Sequence, residues 1–164
     1  MFIKTENLSS LNTKSVFGLL NLVYFQLRLG GVELFDHVIS QVPVTETTVQ
    51  LMMQQVLSAL AHVHDSCQLC HNDVKLENFR FKEKGDQNSP LVLLDFGMAR
   101  TSGTDLEESI SGTLLYLAPE LLASTKRCRH ALPSRDVWAA GVILYIMLTG
   151  KEPWGDREVH FSTE

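Results

Sequence analysis

Between Thr45 and Val63 the apolar side chains recur at a helical period. Val49, Met52, Met53, Val56, Leu57, Leu60 and Val63 fall at i, i+3, i+4, i+7, i+8, i+11 and i+14. That is one continuous stripe, and it predicts an amphipathic helix laid against a core. Thr45 stands where an N-cap belongs, its hydroxyl able to accept from an unused amide of the first turn. A second helix is predicted from Pro133-Ser134-Arg135 through the apolar run Val137 to Leu148, closed by Gly150. Proline at the start and glycine at the end is the order helices favour. Because this run is apolar on nearly every side, the helix is expected to be buried at the centre. A shorter helix fits Glu33 to Ile39, ending near Pro43.

Strand signals are fewer. Phe79-Arg80-Phe81 and Leu91-Val92-Leu93-Leu94 flank the turn-rich Lys84-Gly85-Asp86-Gln87-Asn88-Ser89-Pro90, the pattern of a β-hairpin. Residues 16–27, rich in Val, Leu, Phe and Tyr, read as one strand or a pair of short ones, and residues 101–111 as loop. The length of 164 residues suits one domain, and 45% hydrophobic with 20% charged residues excludes a disordered or collagen-like chain. A net charge of −5 without a basic cluster argues against a nucleic-acid partner. The longest apolar stretch is twelve residues with Asn21 inside it, short of the roughly 20 that span a bilayer. With no signal peptide either, the expectation is a cytoplasmic protein with no membrane partner.

Three cysteines in such a chain read as reduced thiols. Cys67-Gln68-Leu69-Cys70-His71 matches the haem-attachment spacing formally, but that chemistry requires export. Cys67, Cys70, Cys128 and His130 are zinc-ligand types, yet the 57 residues between Cys70 and Cys128 are unlike a compact finger.

Four motifs stand in a fixed order: His71-Asn72-Asp73-Val74-Lys75-Leu76-Glu77-Asn78, Asp95-Phe96-Gly97, Ala118-Pro119-Glu120, and Asp136-Val137-Trp138 with Gly141. Together they resemble the C-terminal lobe of a protein kinase. Lys75, and Gly112-Thr113 ahead of Tyr116-Leu117-Ala118-Pro119-Glu120, are similar to the serine/threonine branch. Glu33-Leu34-Phe35-Asp36, Gln55-Val56-Leu57-Ser58-Ala59-Leu60 and Glu77-Asn78-Phe79 are similar to calcium-dependent and calmodulin-dependent kinases, although no Asp-x-Asp-x-Asp-Gly calcium loop occurs. The resemblance implies an α+β, protein kinase-like fold: a mainly α-helical C-lobe with a small β-hairpin, the N-lobe largely absent. Residues 1–29 would be the remnant of an N-lobe strand and the hinge, and residues 30–164 a partial C-lobe truncated at its C-terminus.

Phosphoryl transfer needs positioning and charge neutralisation around a loose transition state. By resemblance, Asp73 accepts the hydroxyl proton of a protein substrate and Lys75 steadies the migrating phosphoryl group. Asn78 and Asp95 supply the oxygens a hard Mg²⁺ ion wants beside ATP. Phe96, Gly97, Thr113 and Glu120 belong to the activation segment, with Thr113 bridging to Asp73 and Lys75. His71 and Asp136 are structural anchors. Glu33 and Glu77 lie on the nucleotide side, Glu33 as the ribose contact, and both acids suggest basic residues near the target hydroxyl.

Several positions depart from the pattern. Asn72 replaces the arginine that reads phosphate on the activation loop, which suggests activity not switched there. The Glu107-Glu108 pair in that loop reads as solvated. Leu76 replaces proline, and Gly30-Gly31-Val32-Glu33 is one residue longer than usual. Arg80 occupies the floor under adenine where the family has an aliphatic side chain; a guanidinium there is either desolvated or swung out. A complete N-lobe needs on the order of 70 residues, whereas 29 precede Gly30, with no G-x-G-x-x-G and no V-A-I-K. The arginine that pairs with Glu120 in the family would lie in the missing part, so Glu120 is expected to lack its partner. The resulting expectation is a serine/threonine protein kinase, the alternative being an inactive pseudokinase or fragment that acts as a protein-binding module.

Overall fold

A computed structural model describes residues 30–41, 44–83, 89–104, 113–122 and 130–154. The strand expected at 16–27, the hairpin turn at 84–88, Glu107-Glu108, Cys128 and Pro43 lie outside the described residues. The expected short helix is α1, Leu34–Gln41. The apolar stripe forms α2, Glu46–Ala61, whose first turn is capped by Thr45: its Oγ1 accepts from the Thr48 amide at 3.4 Å. α2 runs on into a wider π-helical turn, His62–Ser66. A turn of this kind holds one residue more than an α turn.

The predicted C-terminal helix is α4, Pro133–Thr149, ending on Gly150 at φ 68°. That left-handed conformation is what a glycine C-cap supplies. A single turn, α3 (Pro119–Leu122), precedes it. Helices α2 and α4 pack together: Val49, Met52, Met53, Val56 and Leu60 close against a core that takes Ala139, Ala140, Val142, Ile143, Ile146 and Met147 from α4. Leu57, counted in the stripe, is instead 47% exposed. It falls at the edge of the buried arc.

The expectation of an α4 buried on all sides is likewise corrected. Val137, Leu144, Tyr145 and Leu148 are exposed, because the described elements pack against only one face of the helix.

The hairpin pairs β2 (Phe79–Phe81) with β3 (Leu91–Leu93), antiparallel, in the register Phe79↔Leu93, Arg80↔Val92 and Phe81↔Leu91. Here β1 is Leu69–Cys70, which pairs with β4, Arg100–Thr101. The region expected as loop from residue 101 therefore begins in a short strand, prolonged by the Ser102 amide donating to the Gln68 carbonyl at 3.0 Å. Alternation along β2 sends Phe79 and Phe81 into the core and Arg80 to the opposite face. Gln55 of α2 anchors the hairpin by accepting from the Leu91 amide at 2.7 Å. Gly31 lies flat on β2, and a Cβ there would run into the Phe81 carbonyl. The fold is thus α+β, mainly helical with two small strand pairs, as the resemblance implied. Among the described residues no helix is long and apolar enough to cross a membrane.

Candidate active site

The loop from His71 to Asn78 connects β1 to β2, and it is held from below by one carboxylate. Asp136, in the first turn of α4 and 1% exposed, accepts from the His71 amide at 2.7 Å and the Asn72 amide at 2.9 Å. Its Oδ2 also lies 2.8 Å from His64 Nε2. A carboxylate only accepts, so that nitrogen carries the proton. His64 carries no sequence motif, and its partner lies 72 residues away.

His71 is wholly buried. Its Nε2 donates to the Leu94 carbonyl at 2.9 Å, and its Nδ1 accepts from the Asp73 amide at 3.3 Å. One donor and one acceptor are what a neutral imidazole has. Burial pushes its pKa below the ordinary 6.5, outweighing the Leu94 hydrogen bond and the nearby carboxylates of Asp136, Asp73 and Asp95. Buried His37, edge-on to Phe81 at 5.1 Å, is shifted down by the same cause. A histidine held neutral in the fold binds fewer protons than it does unfolded. Its contribution is intact above pH 6.5 and is lost as the pH falls below it, by up to about 1.4 kcal/mol per pH unit for each group. Melting temperature is therefore expected to fall between pH 7 and 5.5, above the carboxylate range. A flat profile over that interval would contradict neutral burial.

The loop closes on itself around Asp73. Lys75 Nζ is 3.0 Å and Asn78 Nδ2 3.1 Å from Asp73 Oδ2, and Asn78 Nδ2 also donates to the Asp73 carbonyl at 2.7 Å. Both donors converge on one oxygen, Oδ2, and among the described residues no side chain is bonded to Oδ1. Lys75 Nζ donates as well to Thr113 Oγ1 at 3.1 Å, so the lysine links Asp73 to the segment beyond residue 112. The expected Thr113 bridge thus runs through Lys75.

Asp95 arrives from β3. The Leu94 amide donates to the Asn78 carbonyl at 2.8 Å, which sets Asp95 next to the loop. Its backbone is left-handed at φ 56°, and its Oδ1 accepts from the Gly97 amide at 3.3 Å. Phe96 stacks edge-on against His71 at 4.7 Å and is 2% exposed. Asp73, Asn78 and Asp95 are therefore gathered around His71.

These residues fit a hard cation. Asn78 spends its amide hydrogens on Asp73, leaving its Oδ1, and Asp95 is an exposed carboxylate. Among the described residues no group of three or more His, Cys, Asp and Glu side chains could hold a metal. Two protein oxygens are what Mg²⁺ takes when phosphates and water fill its other positions.

Of three neighbours, Glu120 departs from expectation, whereas Arg80 takes one of the two outcomes expected of it. Glu120 has a partner: Arg135 Nε, on a side chain 4% exposed in the first turn of α4, lies 3.8 Å from its Oε1. Arg80 swings to Glu33, with Nη2 3.6 Å from Oε1 across an isolated bridge between the two residues. Glu77, on the 3₁₀ turn Leu76–Asn78, buries its Oε2 and acts electrostatically on Tyr116, whose phenol burial pushes well above the usual range.

The chain matches the protein kinase domain over residues 12–163. It is 35% identical over 131 residues to a probable serine/threonine-protein kinase KIN1 homolog of Enterocytozoon bieneusi, covering 79% of this chain and 21% of that one. It is 38% identical over 127 residues to a CaM kinase-like vesicle-associated protein of Xenopus laevis, covering 77% and 32%. With serine/threonine-protein kinase CHK1 of Saccharomyces cerevisiae it shares 36% identity over 130 residues, covering 76% and 23%. The chain thus spans about a fifth to a third of the length of these relatives. Because the match runs through the loop, the Asp95 turn and α4, the chain belongs to the protein kinase domain family, among serine/threonine kinases and near their CaM kinase-like members.

Proposed function

We propose that the chain carries the catalytic loop of an ATP-dependent phosphotransferase acting on serine or threonine of a protein substrate. What supports this most is the bonding of Asp73, whose Oδ2 takes both Lys75 and Asn78 and whose Oδ1 is left to accept. In this reading Asp73 takes the substrate hydroxyl proton. Lys75, fixed between Asp73 and Thr113, faces the charge that migrates with the phosphoryl group. Asn78 and Asp95 would hold Mg²⁺, which neutralises phosphate charge when bound with ATP. Residues 30–164 serve as the helical lobe, and residues 1–29 as the strand and hinge that lead into it. The protein works in the cytoplasm, where ATP and reduced thiols coexist.

A second reading is favoured by one observation. The Glu33–Arg80 pair sets a guanidinium two residues along the chain from Asn78, at the centre of β2. If Arg80 lies under the base, nucleotide must either stack on a guanidinium or displace it, and the chain is then a binding module with the same fold. Thermal melting with Mg-ATP separates the two. Phosphotransfer predicts a rise in melting temperature for the wild-type chain. Arg80→Leu is expected to tighten nucleotide about fivefold, the worth of roughly 1 kcal/mol of apolar burial. A shift in Arg80→Leu alone supports the second reading, and no shift in either protein refutes nucleotide binding.

A further inference from the structure

α4 ends where Gly150 takes its left-handed backbone, and the chain then reverses. The Lys151 amide donates to Thr149 Oγ1 at 3.2 Å, and the following residues bring Trp154 back to Trp138, in the second turn of α4. The two indoles lie almost parallel, with planes 6° apart and ring centroids at 5.7 Å, the offset stack that aromatic pairs favour. Trp138 gives only its face, since its own Nε1 is buried with no hydrogen-bond partner among the described residues. Trp154 gives a donor as well: its Nε1 donates to the Leu115 carbonyl at 3.0 Å.

Leu115 is the middle of a 3₁₀ turn, Leu114–Tyr116, that starts from Thr113. Inside it the Tyr116 amide donates to the Thr113 carbonyl at 2.9 Å, and the Leu117 amide donates to that of Leu114 at 3.3 Å. Hydrogen-bond geometry is poorer in a 3₁₀ turn than in an α turn, so so short a piece leans on contacts from outside. One is Tyr116, 7% exposed, whose phenol meets the Leu76 backbone. The other is the Trp154 indole. Thr113 in its turn takes Lys75 Nζ at 3.1 Å, and Lys75 lies 3.0 Å from Asp73. A continuous line of contacts therefore runs from α4 through Trp138, Trp154 and the Leu114–Tyr116 turn to the lysine beside Asp73. Asp136 of the same helix holds the start of the loop at His71 and Asn72, so Asp73 is fixed from one helix on both sides.

We propose that Trp154 is a positioning residue: its indole N–H, steadied on Trp138, holds the Leu114–Tyr116 turn where it presents the Thr113 hydroxyl to Lys75. Trp154 is 52% exposed, so water competes for the Leu115 carbonyl, and the stack is what keeps the indole in place. Phenylalanine at this position could stack but has nothing to donate. The consequence for catalysis rests on the phosphotransfer reading above, whereas the tie itself stands on geometry.

Hydrogen exchange of the full chain without nucleotide tests the tie. Trp154→Phe keeps a ring on Trp138 and removes the N–H. Exchange at the Tyr116 and Leu117 amides is expected to speed about tenfold, the worth of one such hydrogen bond, with the α2 amides unchanged. Transfer of labelled γ-phosphate by the same samples tests the consequence. Trp154→Phe is expected to lower kcat about tenfold, the effect of a modest misplacement, and to leave KM for ATP unchanged, because the turn reaches the site through Thr113 and Lys75. In a Thr113→Val background the same change should lower kcat no further, since substitutions along one line of contacts are not additive. Unchanged exchange in Trp154→Phe would overturn the tie, and an equal loss of kcat in both backgrounds would overturn its action through Thr113. Absence of transfer from every sample, with the exchange effect present, would defeat the phosphotransfer reading and spare the tie.

Discussion

Asp136→Ala is expected to cost the fold roughly 3–5 kcal/mol, the usual penalty for breaking a buried charged network. The carboxylate is 1% exposed and takes the His71 amide, the Asn72 amide and His64 Nε2, all within 2.9 Å. Without it, two backbone donors at the start of the loop lose their acceptor, that of His71 in a buried setting and that of Asn72 in a part-buried one. Each orphaned buried donor costs about 1–3 kcal/mol. Native domains hold only about 5–15 kcal/mol in total, so the variant should sit close to its unfolding threshold. Urea denaturation checks this through the midpoint at unchanged slope. A loss under about 1 kcal/mol would mean that the loop is held by other contacts.

Asp73→Asn should leave the fold intact and remove phosphate transfer by roughly 10²–10⁴-fold, the range for losing a general base. The carboxamide oxygen can replace Oδ2 as the acceptor for Lys75 and Asn78, which lie at 3.0 and 3.1 Å. That orientation turns the amide –NH₂ toward the position Oδ1 held, so a donor faces a hydroxyl that must give up its proton. Transfer of labelled γ-phosphate to a serine-containing protein, read beside the melting temperature, separates chemistry from folding. Retention of full transfer by the variant would exclude Asp73 from the proton step.

Much of the fold could be read locally. Thr45, Pro133 and Gly150 mark helix ends because caps act within a few residues. The stripe on α2 is legible because burial follows period, and Leu57 fails because period alone does not tell how wide an arc the partner helix covers. The strands β1 and β4 are two residues each, too short to carry any alternation. At the site, residues 71–78 were legible as a motif, since their spacing is their geometry. The pairs that complete it were not: His64 with Asp136, Arg135 with Glu120, Arg80 with Glu33, Asn72 with Met98. All four join residues at least 15 apart in numbering and depend on how helices and strands are stacked. Departures from the family pattern at Asn72 and Arg80 marked where to look without revealing the new partner.

Asn78 and Asp95 are expected to share one cation beside a bound nucleotide. Calorimetric titration of ATP with and without Mg²⁺ into the wild type, Asn78→Ala, Asp95→Ala and the double variant measures it directly. Groups that act on one ion are not additive, so the double variant should lose less than the sum of the singles, by about 0.5–3 kcal/mol of coupling. Strictly additive losses, or nucleotide binding indifferent to Mg²⁺ in the wild type, would contradict the claim.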